Sequence, residues 1–170
     1  MSEALPAAVD RVARFLREAR VEARLEEFSE GTPTAEAAAD AAGCRLAQIV
    51  KSLVFACDGR WALVMIPGDT RADRTKVAAA AGCVRARIAA AEEVRAATGF
   101  EPGGVAPFPL PAIETVLIER MLLSHDLVWV GAGSSRHLAA LAPTDLVRLA
   151  RARPADVVSH NSLSKRDEST

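Results

Sequence analysis

The sequence predicts an α+β fold with a mixed, largely antiparallel sheet. Helical and strand patterns alternate irregularly, and hairpin signals mix with longer crossovers. The chain has 170 residues, of which 50% are hydrophobic and 25% charged, as is typical of a folded globular domain. No Gly-x-Gly-x-x-Gly pattern leads from a strand into a helix, which argues against a Rossmann fold. We predict one domain over residues 1–158, followed by a polar tail over residues 159–170.

The first third of the chain contains two predicted helices separated by a strand. Residues 7–20 have apolar side chains at helical spacing and Arg and Glu on the other face, so they predict an amphipathic helix. Residues 24–29 predict a short edge strand. A second, short helix follows, because Thr34 is a preferred N-cap and Gly43 is a preferred residue at a helix end.

A β-hairpin is the strongest local signal in the sequence. The apolar, β-branched run over residues 49–57 ends at Asp58-Gly59, a favoured pair for a tight hairpin turn. The segment over residues 61–67 is again apolar and predicts the returning strand. We therefore expect this hairpin to form the centre of the sheet.

The rest of the chain predicts shorter elements. One helix is capped by Asp73 and ended by Gly82, and another covers residues 90–98. A last helix covers residues 143–152, with Thr144 as its candidate cap. Between and after these helices the predicted strands are 84–88, 113–118, 127–130, 137–142 and 155–158.

Composition and charge exclude several classes of protein. The formal net charge is −1, which argues against a protein that binds nucleic acid through a large basic excess. Aromatic residues make up 4% of the chain and Tyr is absent, so a stacking platform for several bases is not expected. No run approaches the roughly 18 uncharged apolar residues of a membrane span, and no signal peptide is evident. We expect a cytoplasmic protein without a membrane partner.

Cysteine usage predicts neither a disulfide framework nor a structural zinc site. The chain has three cysteines, an odd number, and no Cys-x-x-Cys or Cys-x-His spacing. Its histidines also lie in different segments, without the spacing of a metal site or a catalytic triad. These residues are Cys44, Cys57, Cys83, His125, His137 and His160.

Lys51 is the first candidate for chemistry, because it interrupts the apolar strand IVKSLVF. An enclosed amine costs several kcal/mol unless it is paired or neutralised. One interpretation is an edge-strand lysine that extends its amine into solvent. The other is a cationic anchor at the mouth of a cavity, which holds a phosphate or a developing oxyanion.

Two loops rich in small residues are the other candidates. Glycines in the Gly-x-x-x-Pro segment over residues 103–107 allow close approach to a ligand, and the proline stiffens the turn. Successive exposed N–H groups in such a loop can bind an anion, although a plain connector has the same composition. The turn over residues 131–135 either closes a hairpin or forms the wall of a small pocket.

In their order along the chain, these motifs resemble the YbaK/prolyl-tRNA-editing (ProX-like) family. The family comprises freestanding relatives of the insertion editing domain of bacterial prolyl-tRNA synthetase. The resemblance covers residues 7–158 and is carried by TPTAEAAADAAG, QIVKSLVF, TGFEPGGVAPF, VLIERMLLSHDLVWVGAG and LAPTDLVRL. It implies a single editing domain whose sheet is partly barrel-like and surrounded by helices.

The resemblance also implies an activity, the hydrolysis of the ester that joins a mischarged amino acid to the terminal adenosine of tRNA. A prolyl- or cysteinyl-type system is implied, with neither a metal nor a cofactor. The family's essential lysine matches Lys51. Its substrate-binding loop and its small-residue turn match Gly103, Gly104, Val105, Ala106, Pro107 and the turn containing Gly133 and Ser134.

Two positions depart from the family pattern, and several neighbours are candidate pocket walls. Glu119 stands where the family commonly has Asp, and Pro109 stands where it often has Gly. The candidate walls are Ser52, Val105, Phe108 and Ser134.

An aminoacyl ester is already activated, so a site need only orient water and stabilise the tetrahedral oxyanion. We hypothesise that loop amides hold the carbonyl or the amine-bearing end of the amino acid. Lys51 then binds the terminal phosphate or balances charge at the ester, and the 2′-hydroxyl of the tRNA positions the water. This arrangement needs no protein general base.

The expected partner is the acceptor end of a mischarged tRNA, with an aminoacyl-tRNA synthetase as a second candidate partner. Contacts with the tRNA body would fall on scattered residues such as Arg71, Arg74 and Lys76. An alternative is a non-catalytic module of the same fold that binds a small ligand or the tRNA end. A metal hydrolase is disfavoured, because clustered His and carboxylate ligands are missing from the sequence.

Overall fold

Helices and strands alternate along residues 4–160, the part of the chain that the computed structural model describes. The helices are α1 (Ala7–Ala19), α2 (Ala35–Ala42), α3 (Arg74–Ala81), α4 (Ala91–Thr98) and α5 (Pro143–Ala150). The strands are β1 (Ala23–Glu27), β2 (Val50–Cys57), β3 (Arg60–Pro67), β4 (Ala86–Ile88), β5 (Thr115–Glu119), β6 (Val128–Gly131), β7 (His137–Leu141) and β8 (Arg153–Ala155). Within these residues, no helix combines the length and the apolar character needed to cross a membrane.

The strands form two sheets, with orders β4-β2-β3-β5-β8 and β1-β7-β6. Pairing is parallel between β3 and β5 and between β5 and β8, and it is antiparallel in the other ladders. The predicted α+β class with a mixed, largely antiparallel sheet is confirmed, and the β2–β3 hairpin lies at the centre of the larger sheet. A parallel bridge between Ile49 and Trp129 joins the two sheets at their edges. The ladders of the described strands do not close into a complete barrel.

Helix ends follow the expected capping chemistry at most positions. The hydroxyl of Thr34 accepts a hydrogen bond from the N–H of Ala37 at 3.0 Å, as expected for the N-cap of α2. Asp73 caps α3 by accepting from two backbone N–H groups of its first turn. The Thr144 cap is wrong, because Ala142 holds the N-cap position and Pro143 is the first helical residue of α5.

The last predicted strand is displaced in the structure. It covers Arg153–Ala155 rather than residues 155–158, because the backbone of Val157 is hydrogen-bonded outside the ladder. The N–H of Val157 donates to the carboxylate of Glu119 at 3.0 Å, and its carbonyl accepts from the N–H of Asp73 at 2.8 Å. Residues 161–170 of the predicted tail lie outside the described residues.

The sequence predicts no disulfide framework, and the described residues contain a single cysteine pair. Cys57 and Cys83 are paired, with Cα atoms 5.7 Å apart, and Cys44 is free. The pair forms because β4, which follows Cys83, is antiparallel to the end of β2, where Cys57 lies. Spacing in the sequence does not show this contact, since the two cysteines are 26 residues apart.

Side chains along β2 alternate between two apolar cores. On one side, which we call the loop face, Val50 and Val54 share a core with Val105 of the predicted site loop and with residues of β6, β7, α1 and α5. On the other side, the α3 face, Phe55 shares a core with residues of β3 and α3. This alternation places the side chain of Lys51 on the α3 face and that of Ser52 on the loop face.

Candidate functional site

Lys51 is the second residue of β2 and is half-buried. Its Nζ donates to the carbonyl of Thr70, which lies between β3 and α3, at 3.1 Å. An ammonium group has three N–H donors, and within the described residues this is its one hydrogen bond. The amine is therefore held in place while two of its donors remain available to a ligand.

The edge of β2 beside Lys51 is open. This edge meets β6 at the bridge between Ile49 and Trp129 and pairs with β4 from Phe55 onward, but the described chain forms no ladder between these points. The carbonyl of Val54 accepts from the N–H of Ala89 on this edge. Since residues two apart in a strand direct their backbone groups to the same side, the N–H and C=O of Ser52 point into the opening.

The turn after β6 lies across this opening from β2. The two strands are parallel at the bridge between Ile49 and Trp129. Gly131 follows this bridge by two residues in β6, and Lys51 follows it by two residues in β2. The small residues over 131–134 therefore come level with the first half of β2. We call the opening between this turn and residues 51–53 the cleft.

The predicted loop over residues 103–107 packs directly on that turn. A Cβ on Gly104 would lie 2.6 Å from the Cα of Ser134, and one on Gly131 would lie 2.3 Å from the carbonyl oxygen of Val105. The N–H of Gly133 also donates to the carbonyl of Gly104 at 3.0 Å. Residues 104 and 131 must be glycine because the backbone of the loop contacts the backbone of the turn. The structure therefore brings the loop and the turn together.

Two backbone donors of this loop have no partner in the described part of the chain. The N–H of Gly104 donates to the carbonyl of Glu101 at 2.8 Å, whereas no acceptor within residues 4–160 bonds the N–H of Val105 or Ala106. Val105 is 8% exposed and Ala106 is 0% exposed, so neither amide is in bulk solvent. Preorganised, unpaired amides are the groups that stabilise an oxyanion or a bound carboxylate.

Two buried side-chain atoms in the described chain also lack a hydrogen-bond partner, Ser52 Oγ and His137 Nε2. His137 begins β7, where Ala139 and Leu141 belong to the loop-face core, so its side chain lies on the same face as that of Ser52. Its Nδ1 is 2.6 Å from Ser134 Oγ, which also accepts the N–H of Arg136 at 3.0 Å. Unsatisfied buried polar groups are uncommon and often mark sites that bind ligands.

His137 is the residue that sequence reasoning missed. No triad or metal spacing singled it out, and its contact with Ser134 depends on the tight turn between β6 and β7. A serine three residues before a histidine, across a turn of small residues, is the signal that could have found it. The Nε2 atom is 3.9 Å from the Glu27 carboxylate, beyond hydrogen-bond distance.

The second half of the loop enters a different groove. Phe108 is 1% exposed and stacks on Phe15 of α1, with ring centroids 5.1 Å apart, and its peptide bond to Pro109 is cis. A groove of about 950 Å³ between α1, α4 and α5 is lined by Pro107, Phe108 and Pro109, and no residue of β2 lines it. The ring of Phe108 anchors the loop in the core, and its predicted role as a wall of the amino-acid pocket stays a prediction.

Glu119 has a structural position at the end of β5. It is 2% exposed, and its two carboxylate oxygens accept the backbone N–H groups of Met121 and Val157 at 3.1 and 3.0 Å. These bonds join β5 to the next turn and to the segment after β8. The difference between Glu and the family's Asp therefore bears on the fold rather than on the cleft.

We expect Glu119→Gln to lower the free energy of unfolding by about 1–3 kcal/mol, because an amide cannot accept two N–H groups with its two terminal atoms. Urea denaturation followed by circular dichroism measures this change. Glu114→Gln, at an exposed position that contributes no hydrogen bond among the described residues, is the matched control. Equal stability of the two variants would contradict the assigned role.

The basic residues expected to contact tRNA separate into different environments. Arg71 and Arg74 are exposed. Lys76 donates to the carboxylate of Asp156 at 3.2 Å and to the carbonyl of Val158 at 2.9 Å, so its amine is engaged within the fold. No group of three or more His, Cys, Asp or Glu side chains in residues 4–160 is arranged to hold a metal ion.

Comparison with known proteins agrees with this architecture. The aminoacyl-tRNA editing domain family matches residues 29–149. The uncharacterized protein YwhH from Bacillus subtilis is 34% identical over 121 residues, which cover 71% of this chain and 76% of YwhH. EbsC from Enterococcus faecalis, named as a candidate Cys-tRNA(Pro)/Cys-tRNA(Cys) deacylase, is 25% identical over 86% of this chain and 91% of its own.

A solved structure shows the same fold. The crystal structure of a candidate trans-editing enzyme for prolyl-tRNA synthetase has a TM-score of 0.85 and 33% identity, over 92% of this chain and 99% of that one. The family match spans well over half of the chain and includes β2, the loop over residues 103–107 and the turn after β6. This chain therefore belongs to the aminoacyl-tRNA editing domain family.

Proposed function

We propose that this protein is a trans-editing deacylase that hydrolyses the ester of a mischarged tRNA of the prolyl or cysteinyl type. The observation that carries this proposal is the cleft, which β2 borders at Lys51 and Ser52 and which the turn beneath the loop over residues 103–107 borders on the other side. Within residues 4–160, Ser52 Oγ and the N–H groups of Val105 and Ala106 have no hydrogen-bond partner. Membership of the editing family supports the reaction class. The names of EbsC and of the solved trans-editing enzyme support prolyl- and cysteinyl-type substrates.

In this proposal the reaction proceeds by attack of water on the carbonyl carbon of the aminoacyl ester. Negative charge develops on the carbonyl oxygen, where the N–H groups of Val105 and Ala106 are the donors that stabilise it. The bond from the carbonyl carbon to the ribose oxygen then breaks, and that oxygen takes up a proton. The products are the free amino acid and a tRNA with a free terminal hydroxyl.

Lys51 supplies a positive charge on the α3 face of β2, at the strand edge that borders the cleft. Its ammonium group is held by Thr70, and its remaining donors suit the terminal phosphate of the tRNA. A phosphate bound to Lys51 fixes the position of the ester relative to the loop. The binding free energy of the phosphate is then used to orient the ester for attack by water. The 2′-hydroxyl of the terminal ribose positions the attacking water, so the protein needs no general base of its own.

Ser134 and His137 fix the other side of the site. Because Ser134 Oγ accepts a backbone N–H, its own proton is free to be donated to His137 Nδ1, which leaves a proton on Nε2. This Nε2–H then has no partner in the described chain and is available to the amino-acid end of the substrate. The turn and the loop, both built of small residues, limit the space for the side chain of the esterified amino acid.

The test is release of labelled amino acid from a panel of mischarged tRNAs, with tRNAPro and tRNACys acceptors compared. We expect turnover on at least one small mischarged amino acid with either acceptor, above the spontaneous rate of ester hydrolysis. Since one methylene changes binding by only about 1–3 kcal/mol, neighbouring substrates in the panel should differ by roughly 10- to 200-fold. Binding of the tRNA end without release of any amino acid would favour the non-catalytic module instead.

A further inference from the structure

A second groove lies at the tip of the β2–β3 hairpin, away from the cleft. It has a volume of about 990 Å³ and is bounded by the hairpin turn, by α3 and by the segment that leads into β4. Four arginines line it together with a half-buried tryptophan: Arg60, Arg74, Arg85, Arg87 and Trp61. We call this surface the arginine groove.

Most of the positive charge in this groove is unpaired. Asp58 and Glu93 are the carboxylates that line it. Asp58 accepts the backbone N–H groups of Val84 and Arg85 at 2.6 and 3.2 Å, so it serves the local fold. Within residues 4–160 no carboxylate lies within ion-pair distance of the side chains of Arg60, Arg74 or Arg85.

Arg87 is the exception among the four. Its guanidinium makes two hydrogen bonds to Glu93, at 2.8 and 2.9 Å, which lower the pKa of that carboxyl to about 2. The pair therefore stays charged at neutral pH and contributes no net charge to the groove. The free positive charge comes from the other three arginines.

The position of the groove relative to Lys51 is set by β2. Lys51 lies near one end of this strand and Cys57, beside the groove, lies at the other, so the two sites are roughly 20 Å apart at about 3.4 Å per residue. Helix α3 connects the Lys51 site with the arginine groove. It begins a few residues after Thr70, whose carbonyl accepts from Lys51, and it ends just before Cys83, which lines the groove. Arg74, at the first turn of α3, lines the groove.

We propose that the arginine groove binds the phosphate backbone of the double-stranded acceptor stem of the tRNA. This inference rests on the proposed function, because the groove lies roughly 20 Å along β2 from Lys51, within reach of the stem when the single-stranded end of the tRNA is in the cleft. Arginine forks match phosphate geometry, and phosphates position an RNA without reading its sequence. The near-neutral net charge of the chain is compatible with this, since a groove with three unpaired arginines needs no overall basic excess.

The test compares two substrates and two matched variants. Arg60→Ala/Arg85→Ala removes two unpaired arginines of the groove, and Arg14→Ala/Arg17→Ala removes two exposed arginines of α1 with the same change in net charge. Each protein is assayed on a mischarged tRNA and on the same amino acid esterified to adenosine alone, which has no stem. Binding of the uncharged tRNA is measured separately by the change in intrinsic tryptophan fluorescence, because Trp61 lines the groove.

We expect the groove variant to raise KM for the tRNA about tenfold at unchanged kcat, and to leave hydrolysis of the adenosine ester unchanged. Its Kd for uncharged tRNA should rise by a similar factor. The slope of log Kd against log salt should fall by about two, one for each phosphate that the variant no longer binds. The α1 variant should behave as the wild type in every assay.

The outcomes separate this inference from the proposed function. If the wild type hydrolyses the tRNA ester and the groove variant keeps the wild-type KM, Kd and salt slope, the groove does not bind the stem and the inference is wrong. If no protein hydrolyses either ester but the groove variant still loses tRNA affinity, the proposed function fails while the groove is supported. Equal losses in the groove and α1 variants would indicate a general charge effect and also contradict the inference.

Discussion

Lys51→Ala should lower kcat/KM for deacylation of the mischarged tRNA by at least about a hundredfold, the range seen when one preorganised charge-stabilising donor is removed. The alanine removes the ammonium group that Thr70 holds on the α3 face of β2. The fold should remain, because the lysine is half-buried and contributes a single hydrogen bond within the described residues. Single-turnover hydrolysis of labelled aminoacyl-tRNA measures the change, with circular dichroism as the check on folding.

Two variants control for the loss of charge. Arg17→Ala removes an equal charge from an exposed position of α1 outside the cleft, so deacylation should stay within about twofold of wild type. Lys51→Arg keeps the positive charge and should recover part of the activity. A Lys51→Ala protein that turns over like the wild type would refute the role that we assign to this amine.

Gly104→Ala should have the second large effect. The added Cβ would lie 2.6 Å from the Cα and 2.7 Å from the N of Ser134, and neither backbone atom can rotate away. Forced overpacking of this kind typically costs about 1–3 kcal/mol in stability. Displacing the loop by about 1 Å should also cost roughly a hundredfold in kcat, because its amides would leave the position of the oxyanion.

Gly103→Ala is the matched control for this prediction. Its Cβ would lie 3.8 Å from the Cβ of Ser135, an ordinary van der Waals contact, so stability and deacylation should both remain near wild type. Thermal unfolding and single-turnover kinetics of the two variants test the comparison directly. If the variants behave alike, close packing of the loop on the turn after β6 is not what positions the amides.

Much of the fold could be predicted from the sequence because local signals coincide with it. The Asp58-Gly59 turn fixes the hairpin, and caps at Thr34 and Asp73 fix two helices. Two features that the sequence did not predict depend on distant contacts, whereas the Thr144 cap failed locally, because Pro143 begins α5. The pairing of Cys57 with Cys83 requires β4 to lie beside β2, and the end of β8 depends on a bond between Val157 and Glu119.

The candidate site divides in the same way. The chemistry of Lys51 and of the loop glycines is visible in the sequence, because a charge in an apolar strand and a glycine-rich loop are local features. The opening beside β2 cannot be read from the sequence. It arises because β6 and β4 pair with the same edge of β2 at different points. The position of His137 is hidden for the same reason, because a turn brings it to Ser134.

Nuclear magnetic resonance with a non-hydrolysable aminoacyl amide of adenosine 5′-monophosphate, which keeps the terminal phosphate, tests most directly whether the lysine and the loop contact one substrate. Resonances of the Lys51 side chain and of the Val105 and Ala106 amides are followed during the titration, with Lys76 as the internal reference. We expect the resonances of Lys51, Val105 and Ala106 to shift with one shared Kd, while the resonance of Lys76 does not shift. Loop amides that shift while Lys51 does not, or the reverse, would show that these elements do not act on the same ester.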